Sequence, residues 1–420
     1  MKKAGNRRYD VILVNDTAMS RRKFIQYTGV LAGGLLLQRG LSGMQSMPWQ
    51  RLSVGVIGCG DRGNGIIQVM HKLPELFNVT GICDVLDFRI DACKKLFSNP
   101  ASVQVHKDYR HLLDDKNIHA VIIATPLNMH YEIAAAALDA GKHVYLEKTM
   151  TYNIREALDL VKKVKAKPAL TLQVGHQYRY TPLYFKVKEM IAKGYLGKVT
   201  QIDCRWDRNW NWRRPVPDPK LERQINWRMY KQYSGGLVAE LLSHQIDFIH
   251  WAFETHPDTI IGTGGIDYYK DGRETFDNVQ VILRYAKDGM IGNFGATCGN
   301  AHDGYLFKIK GTKGAVHLLM NDGVFYPEKE TKKQLETVDG VAGATRITRN
   351  KDGGIPITQE PMKDGTWYAL KDFHTCITEK KKPVSDVITG ATTAFTVHLA
   401  NNSLYSGSIQ QWKPDYNLSS

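Results

Sequence analysis

The chain has 420 residues, of which 43% are hydrophobic, 23% charged and 10% aromatic. That length suits two or three domains and excludes a single small module, and the composition excludes disordered, collagenous and disulfide-scaffold classes. The formal net charge of +14 invites an anionic partner, but eight basic and two acidic residues fall within positions 1–48, which leaves +8 spread over the other 372. Beyond position 48 the longest basic run, Lys380-Lys381-Lys382 before Pro383, reads as a helix end or a solvated loop. No nucleic-acid partner is expected.

In chain order, the first signal is Ser20-Arg21-Arg22-Lys23-Phe24, followed by the weakly apolar stretch Ile25 to Leu37. Paired arginines before such a stretch resemble a twin-arginine export signal. The stretch is shorter than the roughly 20 residues a membrane span needs, so no stable span is expected in the mature protein. Residues 1–48 are therefore read as export signal and linker, with no clear cleavage site in Leu41–Ser46. The implied location is periplasmic, or cytoplasmic if the signal is silent. The six cysteines, at 59, 83, 93, 204, 298 and 376, lack Cys-x-x-Cys spacing and nearby histidine pairs, so neither a metal site nor a disulfide framework is expected.

Residues 49–172 read as a dinucleotide-binding domain. The β-branched run Leu52–Ile57 leads into Gly58-Cys59-Gly60-Asp61-Arg62-Gly63 and a helical stretch through Met70. In that turn Gly58 permits the bend, Gly60 leaves room for a pyrophosphate and Gly63 lets the helix pack on the strand, while Asp61 and Arg62 sit at the phosphate-facing helix start. A second strand, Val79 to Asp84, ends in an acidic residue 21 positions after Gly63. A carboxylate there accepts hydrogen bonds from a ribose 2′-hydroxyl and repels a 2′-phosphate, which favours NAD over NADP. The alternation continues with a helix over 88–97, the strand Ala120–Ala124, a helix over 131–140 and the strand His143–Leu146. Continuous apolar strands alternating with helices predict a doubly wound parallel sheet. Its strand ends select Asp84, Thr125, Pro126, Asn128, His130, Glu147 and Lys148 as crevice-lining residues.

The glycine turn, Thr125-Pro126 with His130, and Glu147-Lys148 together resemble the Gfo/Idh/MocA family. Its members carry Glu-Lys-Pro at this point; here Thr149 replaces the proline. The resemblance implies a Rossmann domain followed by an α/β domain with a large, open, mostly antiparallel sheet, and dimers or tetramers formed through that sheet. Gln173–Pro182, containing His176, Tyr178 and Arg179, resembles the family's passage into the second domain, read here as 173–420. By that resemblance His176 joins the cofactor residues, and Tyr178 and Arg179 the substrate residues. Gly235 to Asp247 is similar to the family helix Gly-Gly-x-x-x-Asp-x-Gly-x-His-x-x-Asp, with Glu240 and Leu242 as departures. The spacing of Glu240 and His244 puts both on one helix face, where the carboxylate can orient the imidazole. By resemblance this face and Lys148 bracket a sugar hydroxyl.

Hydride transfer from a carbinol needs a base for the hydroxyl proton. His244 suits that role, and Lys148 can share the proton or polarise the oxygen. Between these motifs runs Trp206-Asp207-Arg208-Asn209-Trp210-Asn211-Trp212-Arg213-Arg214, then Trp227-Arg228. Aromatic faces with Arg, Asn and Asp suit a carbohydrate, and part of the run also reads as packing or as an arm to another subunit. Arg228 is the leading substrate contact. Beyond it, strand-like runs over 279–285 and 306–310, a turn at Gly311-Thr312-Lys313-Gly314, and helices over 368–378 and 391–406 complete the domain. If the chain is exported, its nicotinamide must travel with it and be regenerated in place. Three readings stay open: an NAD-dependent oxidoreductase of sugars, glycosides or polyols, a redox-neutral NAD-dependent glycosidase, and a non-catalytic sugar or nucleotide sensor.

Overall fold

The computed structural model describes residues 51–302, 304–331, 350–358 and 361–418. The expected export signal, residues 1–48, lies outside them. The first domain alternates β1 (Leu52–Ile57), α1 (Asp61–Met70), β2 (Phe77–Cys83), α2 (Asp87–Lys94), β3 (Gln104–His106), α3 (Tyr109–Asp114), β4 (Ala120–Ile123), α4 (His130–Asp139), β5 (His143–Leu146), α5 (Ile154–Lys165) and β6 (Leu172–Val174). Its six strands are all parallel, in the order β3-β2-β1-β4-β5-β6. Strands β4 and β5 are buried at every residue because helices cover both faces. The strand order reverses between β1 and β4, so a crevice opens at their carboxyl ends.

The second domain adds α6 (Pro182–Ala192), β7 (Val199–Trp206), α7 (Ser243–Phe253), β8 (Thr259–Gly265), β9 (Asn278–Tyr285), β10 (Met290–Thr297), β11 (Tyr305–Gly311), β12 (Gly314–Leu318), β13 (Gly323–Pro327), β14 (Ile355–Pro356), α8 (Gly365–Thr378), α9 (Val387–Ser406) and β15 (Gln410–Gln411). Nine strands form one sheet, β14-β13-β12-β11-β7-β10-β9-β8-β15. Only the β7–β10 pairing is parallel. In β9, Val279, Val281, Leu283 and Tyr285 face the core while Ile282 is exposed, the period-two pattern of a sheet covered on one face.

The domains are tied together by the C-terminal helices. Ala369, Leu370, Phe373 and Ile377 of α8 join the apolar cluster of β1 and α1, and Gln173 Nε2 donates to the Ala369 carbonyl at 2.8 Å. Helix α9 packs against α5, α7 and β8, which is why its 20 residues show no single apolar stripe. All six cysteines are buried with free thiols. Among the described residues no helix is long and apolar enough to cross a membrane.

Candidate active site

Backbone geometry builds the nucleotide cleft. Gly58 has φ +100°, and a side chain there would meet the Ala124 carbonyl at 2.5 Å. A side chain on Gly63 would meet the Gly58 carbonyl at 1.9 Å, so α1 starts in contact with the turn. Gly60 has nothing within 4 Å of where its Cβ would lie, so open space stands before the free N–H groups of α1. Asp84, at the end of β2, accepts from the Cys59 N–H at 2.8 Å and the Leu86 N–H at 2.9 Å, locking the turn to the second strand. Gly58, Gly60, Asp61, Arg62, Asp84, Thr125, Pro126 and Asn128 all line one cleft of about 550 Å³. Within it, Thr125 Oγ1 and Asn128 Oδ1 are buried without hydrogen-bond partners. An open glycine turn, an acidic strand end and orphaned polar atoms fit a dinucleotide.

A second cavity of about 310 Å³ adjoins it, sharing Asp61, Arg62, Ala124, Thr125, Arg214, Trp227 and Arg228. Glu147, Lys148, His130, Tyr178, Glu240 and His244 line this second cavity, beneath Trp206, Trp210, Trp212 and Trp227. Lys148 follows β5, and its Nζ donates to the carbonyls of Ala239 at 3.1 Å and Glu240 at 2.8 Å. Those carbonyls come from a π-helical turn, Val238–Leu242, that precedes α7. Burial pulls the Lys148 amine below its ordinary value, with Arg228 and Arg62 acting the same way and Glu240 and Glu147 opposing. His244 is pushed well below its usual range by burial and then by Lys148, His176 and Arg62, so its imidazole is neutral at neutral pH. Its Nδ1 has no hydrogen-bond partner, and its ring lies 4.6 Å from that of Tyr178 and 5.6 Å from that of Trp206.

Five sequence expectations are redrawn. Glu240 pairs with Arg228 at 2.7 Å and forms no hydrogen bond to His244, whose Nδ1 is without a partner. Arg62 spends its guanidinium on Glu147 at 2.7 Å and Thr366 Oγ1 at 3.0 Å, tying α1 to β5 and α8. His176 lines neither cavity. It is buried behind His244, ring centroids 6.0 Å apart, with Nδ1 3.1 Å from Asp247 Oδ1. Arg179 is 1% exposed and grips Asp247 through Nε at 2.8 Å and through Nη2, away from any cavity. His130 lines the substrate cavity but spans the carbonyls of Thr149 and Thr125 at 2.8 and 3.1 Å, a contact that holds the loop after β4 to the Lys148 segment. Gln177 was not singled out by sequence reasoning, yet it lines the cavity with its Oε1 buried and unpartnered; the Trp and Arg run was the signal for most of the remaining wall.

Comparisons with known proteins match this geometry. Residues 52–176 match a family model described as an oxidoreductase family with an NAD-binding Rossmann fold, and 184–317 match the GFO/IDH/MocA C-terminal domain. Among curated relatives, the inositol 2-dehydrogenase/D-chiro-inositol 3-dehydrogenase of Lactiplantibacillus plantarum is 29% identical over 47% of this chain and 51% of its own length. The levoglucosan dehydrogenase of Pseudarthrobacter phenanthrenivorans is 28% identical over 64% of this chain and 73% of its own. The chain thus spans about half the length of the first of these relatives. Among solved structures, an oxidoreductase domain protein from Kribbella flavida superposes with a TM-score of 0.70 at 21% identity, covering 86% of this chain and 99% of that one. A levoglucosan dehydrogenase in complex with NADH and levoglucosan gives a TM-score of 0.68 at 21% identity over the same shares. The first domain is an NAD-binding Rossmann domain, and the two family models together cover more than half of the 420 residues: the chain belongs to the Gfo/Idh/MocA family of oxidoreductases.

Proposed function

We propose that this protein oxidises a carbinol carbon of a sugar, glycoside or polyol, with NAD as hydride acceptor. The observation that carries the reading is a buried amine and a neutral imidazole, Lys148 and His244, facing one cavity beside the nucleotide cleft. The names of the inositol and levoglucosan dehydrogenases among the relatives support the substrate class. NAD in the cleft supplies the acceptor for the hydride on the carbinol carbon. As that hydride leaves, the hydroxyl proton must go to a base. A neutral lysine has two N–H groups and one lone pair. Two carbonyls take its donors, which leaves the lone pair for the substrate hydroxyl. His244 holds the same oxygen through its ring edge, and Tyr178 and Trp206 wall it from water. The product is a ketone, with the proton on Lys148.

Two further readings complete the proposal. Residues 1–48 address the chain for export with its cofactor aboard. Exposed Ile261, Ile282 and Ile291 share one face of the second sheet, which supports a homo-oligomer formed there.

NADH formation with a panel of sugars, polyols and aryl glycosides tests the main reading. Lys148→Met is expected to slow reduction about 10²–10⁴-fold while NADH binding, read by fluorescence, persists. In the parent enzyme the rate rises with pH as the ammonium gives up its proton, with the limb placed below the ordinary lysine range of about 10.4. Aglycone release without net NADH would replace the dehydrogenase with a redox-neutral glycosidase. Nucleotide binding with neither outcome would make the protein a sensor.

A further inference from the structure

We infer that the sugar taken by this site carries a carboxylate, and that Arg208 receives it. The inference rests on the dehydrogenase reading for the site's role and on an imbalance of charge for the substrate's class.

Four guanidinium groups line the substrate cavity beside Lys148: Arg62, Arg208, Arg214 and Arg228. Three are matched by carboxylates of the same wall, Arg62 by Glu147 at 2.7 Å, Arg214 by Asp61 at 2.5 Å and Arg228 by Glu240 at 2.7 Å. Lys148 is held by two carbonyls. Arg208 has no such match. Its Nε is buried without a hydrogen-bond partner, and among the described residues its guanidinium forms no ion pair. What holds it is an aromatic face, the Trp206 ring, 5.6 Å from Cζ.

The backbone fixes where this cation stands. Arg208 follows β7, and its N–H donates to the Thr297 carbonyl at 2.8 Å. The neighbouring Asp207 turns the other way, accepting from the Thr297 N–H at 3.1 Å. The backbone of Arg208 is thus tied to β10, and its side chain lies over Trp206 with Nε buried. A buried guanidinium donor left without an acceptor is costly to a fold, so such a group points to an acceptor that arrives with the ligand. A guanidinium is a planar fork that matches a carboxylate through two parallel bonds. The same fork also matches a phosphate, so the test below sets the two anions against each other. The same Trp206 ring lies 5.6 Å from the His244 ring and 5.6 Å from Arg208 Cζ, so one aromatic platform joins the reacting end to the anion receptor. The class is thus a uronic acid or its glycoside, lying on Trp206.

The test uses the full-length enzyme loaded with NADH for calorimetric binding, and with NAD for turnover. The probes are glucuronate, galacturonate and mannuronate with their methyl glycosides, the corresponding neutral sugars, and glucose 6-phosphate. Wild type is expected to bind at least one uronate at least tenfold more tightly than its neutral counterpart. Arg208→Met is expected to erase that preference while changing NADH affinity less than twofold. Arg208→Lys, which keeps the charge without the fork, retains part of it and guards against a folding artefact. Equal affinity for uronates and neutral sugars, or preference for the phosphate, overturns the inference, as does a uronate preference that survives in Arg208→Met. Tight uronate binding without NADH formation would sustain the carboxylate receptor and overturn the dehydrogenase reading instead.

Discussion

Arg179 and Arg228 were both expected to touch substrate, and burial separates them. Arg228 lines both cavities, held by Glu240 and stacked 4.2 Å from the Trp227 ring. Arg179 instead neutralises Asp247 in the core, and its Nη1 donates to the Val384 carbonyl at 2.9 Å. Asp247 also accepts from Thr393 Oγ1 at 3.2 Å, so one carboxylate gathers the segment after β6, α7 and α9. Removing the cation strands that carboxylate, and a broken buried pair costs about 3–5 kcal/mol. Arg179→Met is thus expected to lower the urea midpoint sharply while the folded fraction keeps its KM for sugar. Replacing Asp247 with Leu as well should recover part of the loss, since an apolar pair of similar volume is often neutral. A raised KM at unchanged stability would return Arg179 to the substrate.

At the scale of elements, the three turn glycines divide by what a methyl group would meet. Gly63→Ala drives a Cβ into the Gly58 carbonyl, an overlap that overpacking data put at about 1–3 kcal/mol, so it lowers the melting temperature with or without nucleotide. Gly60→Ala meets no protein atom and should leave the apo melt near that of the parent while weakening NADH binding about tenfold or more, because the methyl group projects where the pyrophosphate belongs. Equal NADH affinity in Gly60→Ala would place the phosphates elsewhere. This turn was legible because strand, glycines and helix each leave a local signature: β1 falls at the residues its apolar run marks, and α8 and α9 differ from sequence expectation only at their starts. Elements without such a signature went unread. Strand β3 is mostly exposed and β6 has three residues; α5 was missed although Asn153 caps it and Ala157, Leu160 and Val161 mark its apolar face. The site was legible as a set of residues and not as a network. Lys148, Glu240 and His244 do share a cavity, yet the pairing of Glu240 with Arg228 has no marker in the residue spacing. The ion pairs that occupy Arg62 and Arg179 join residues 85 and 68 positions away, a separation no local pattern encodes.

For the molecule as a whole, the titrating core lies in histidine. His143 in β5, His176 after β6, His250 in α7 and His398 in α9 are all buried. Burial lowers His143, His176 and His398 to about 4 and His250 to about 3. Two are placed by hydrogen bonds that a neutral ring can make: His143 Nδ1 accepts from the Thr171 N–H at 3.0 Å, and His398 Nε2 lies 2.9 Å from the Thr151 carbonyl. In the unfolded chain these groups take up protons near pH 6.5, whereas in the fold they refuse them until about pH 4. Between those limits the unfolded state binds more protons, so stability is full above about pH 6.5 and is lost progressively as the pH falls from there to about 4. Each group contributes on the order of 3 kcal/mol to that fall, against a domain stability of about 5–15 kcal/mol. Because the four sit in both domains and in the helix that joins them, the loss is expected as one cooperative transition rather than as a detached domain. Thermal melts from pH 8 to pH 4 should show a flat upper region and then a steep decline, and His398→Gln should soften the decline without altering the plateau slope. A melting temperature that stays constant from pH 7 to pH 4.5 would mean that these rings carry their protons inside the fold, and the neutral hydrogen bonds assigned to them would have to be redrawn.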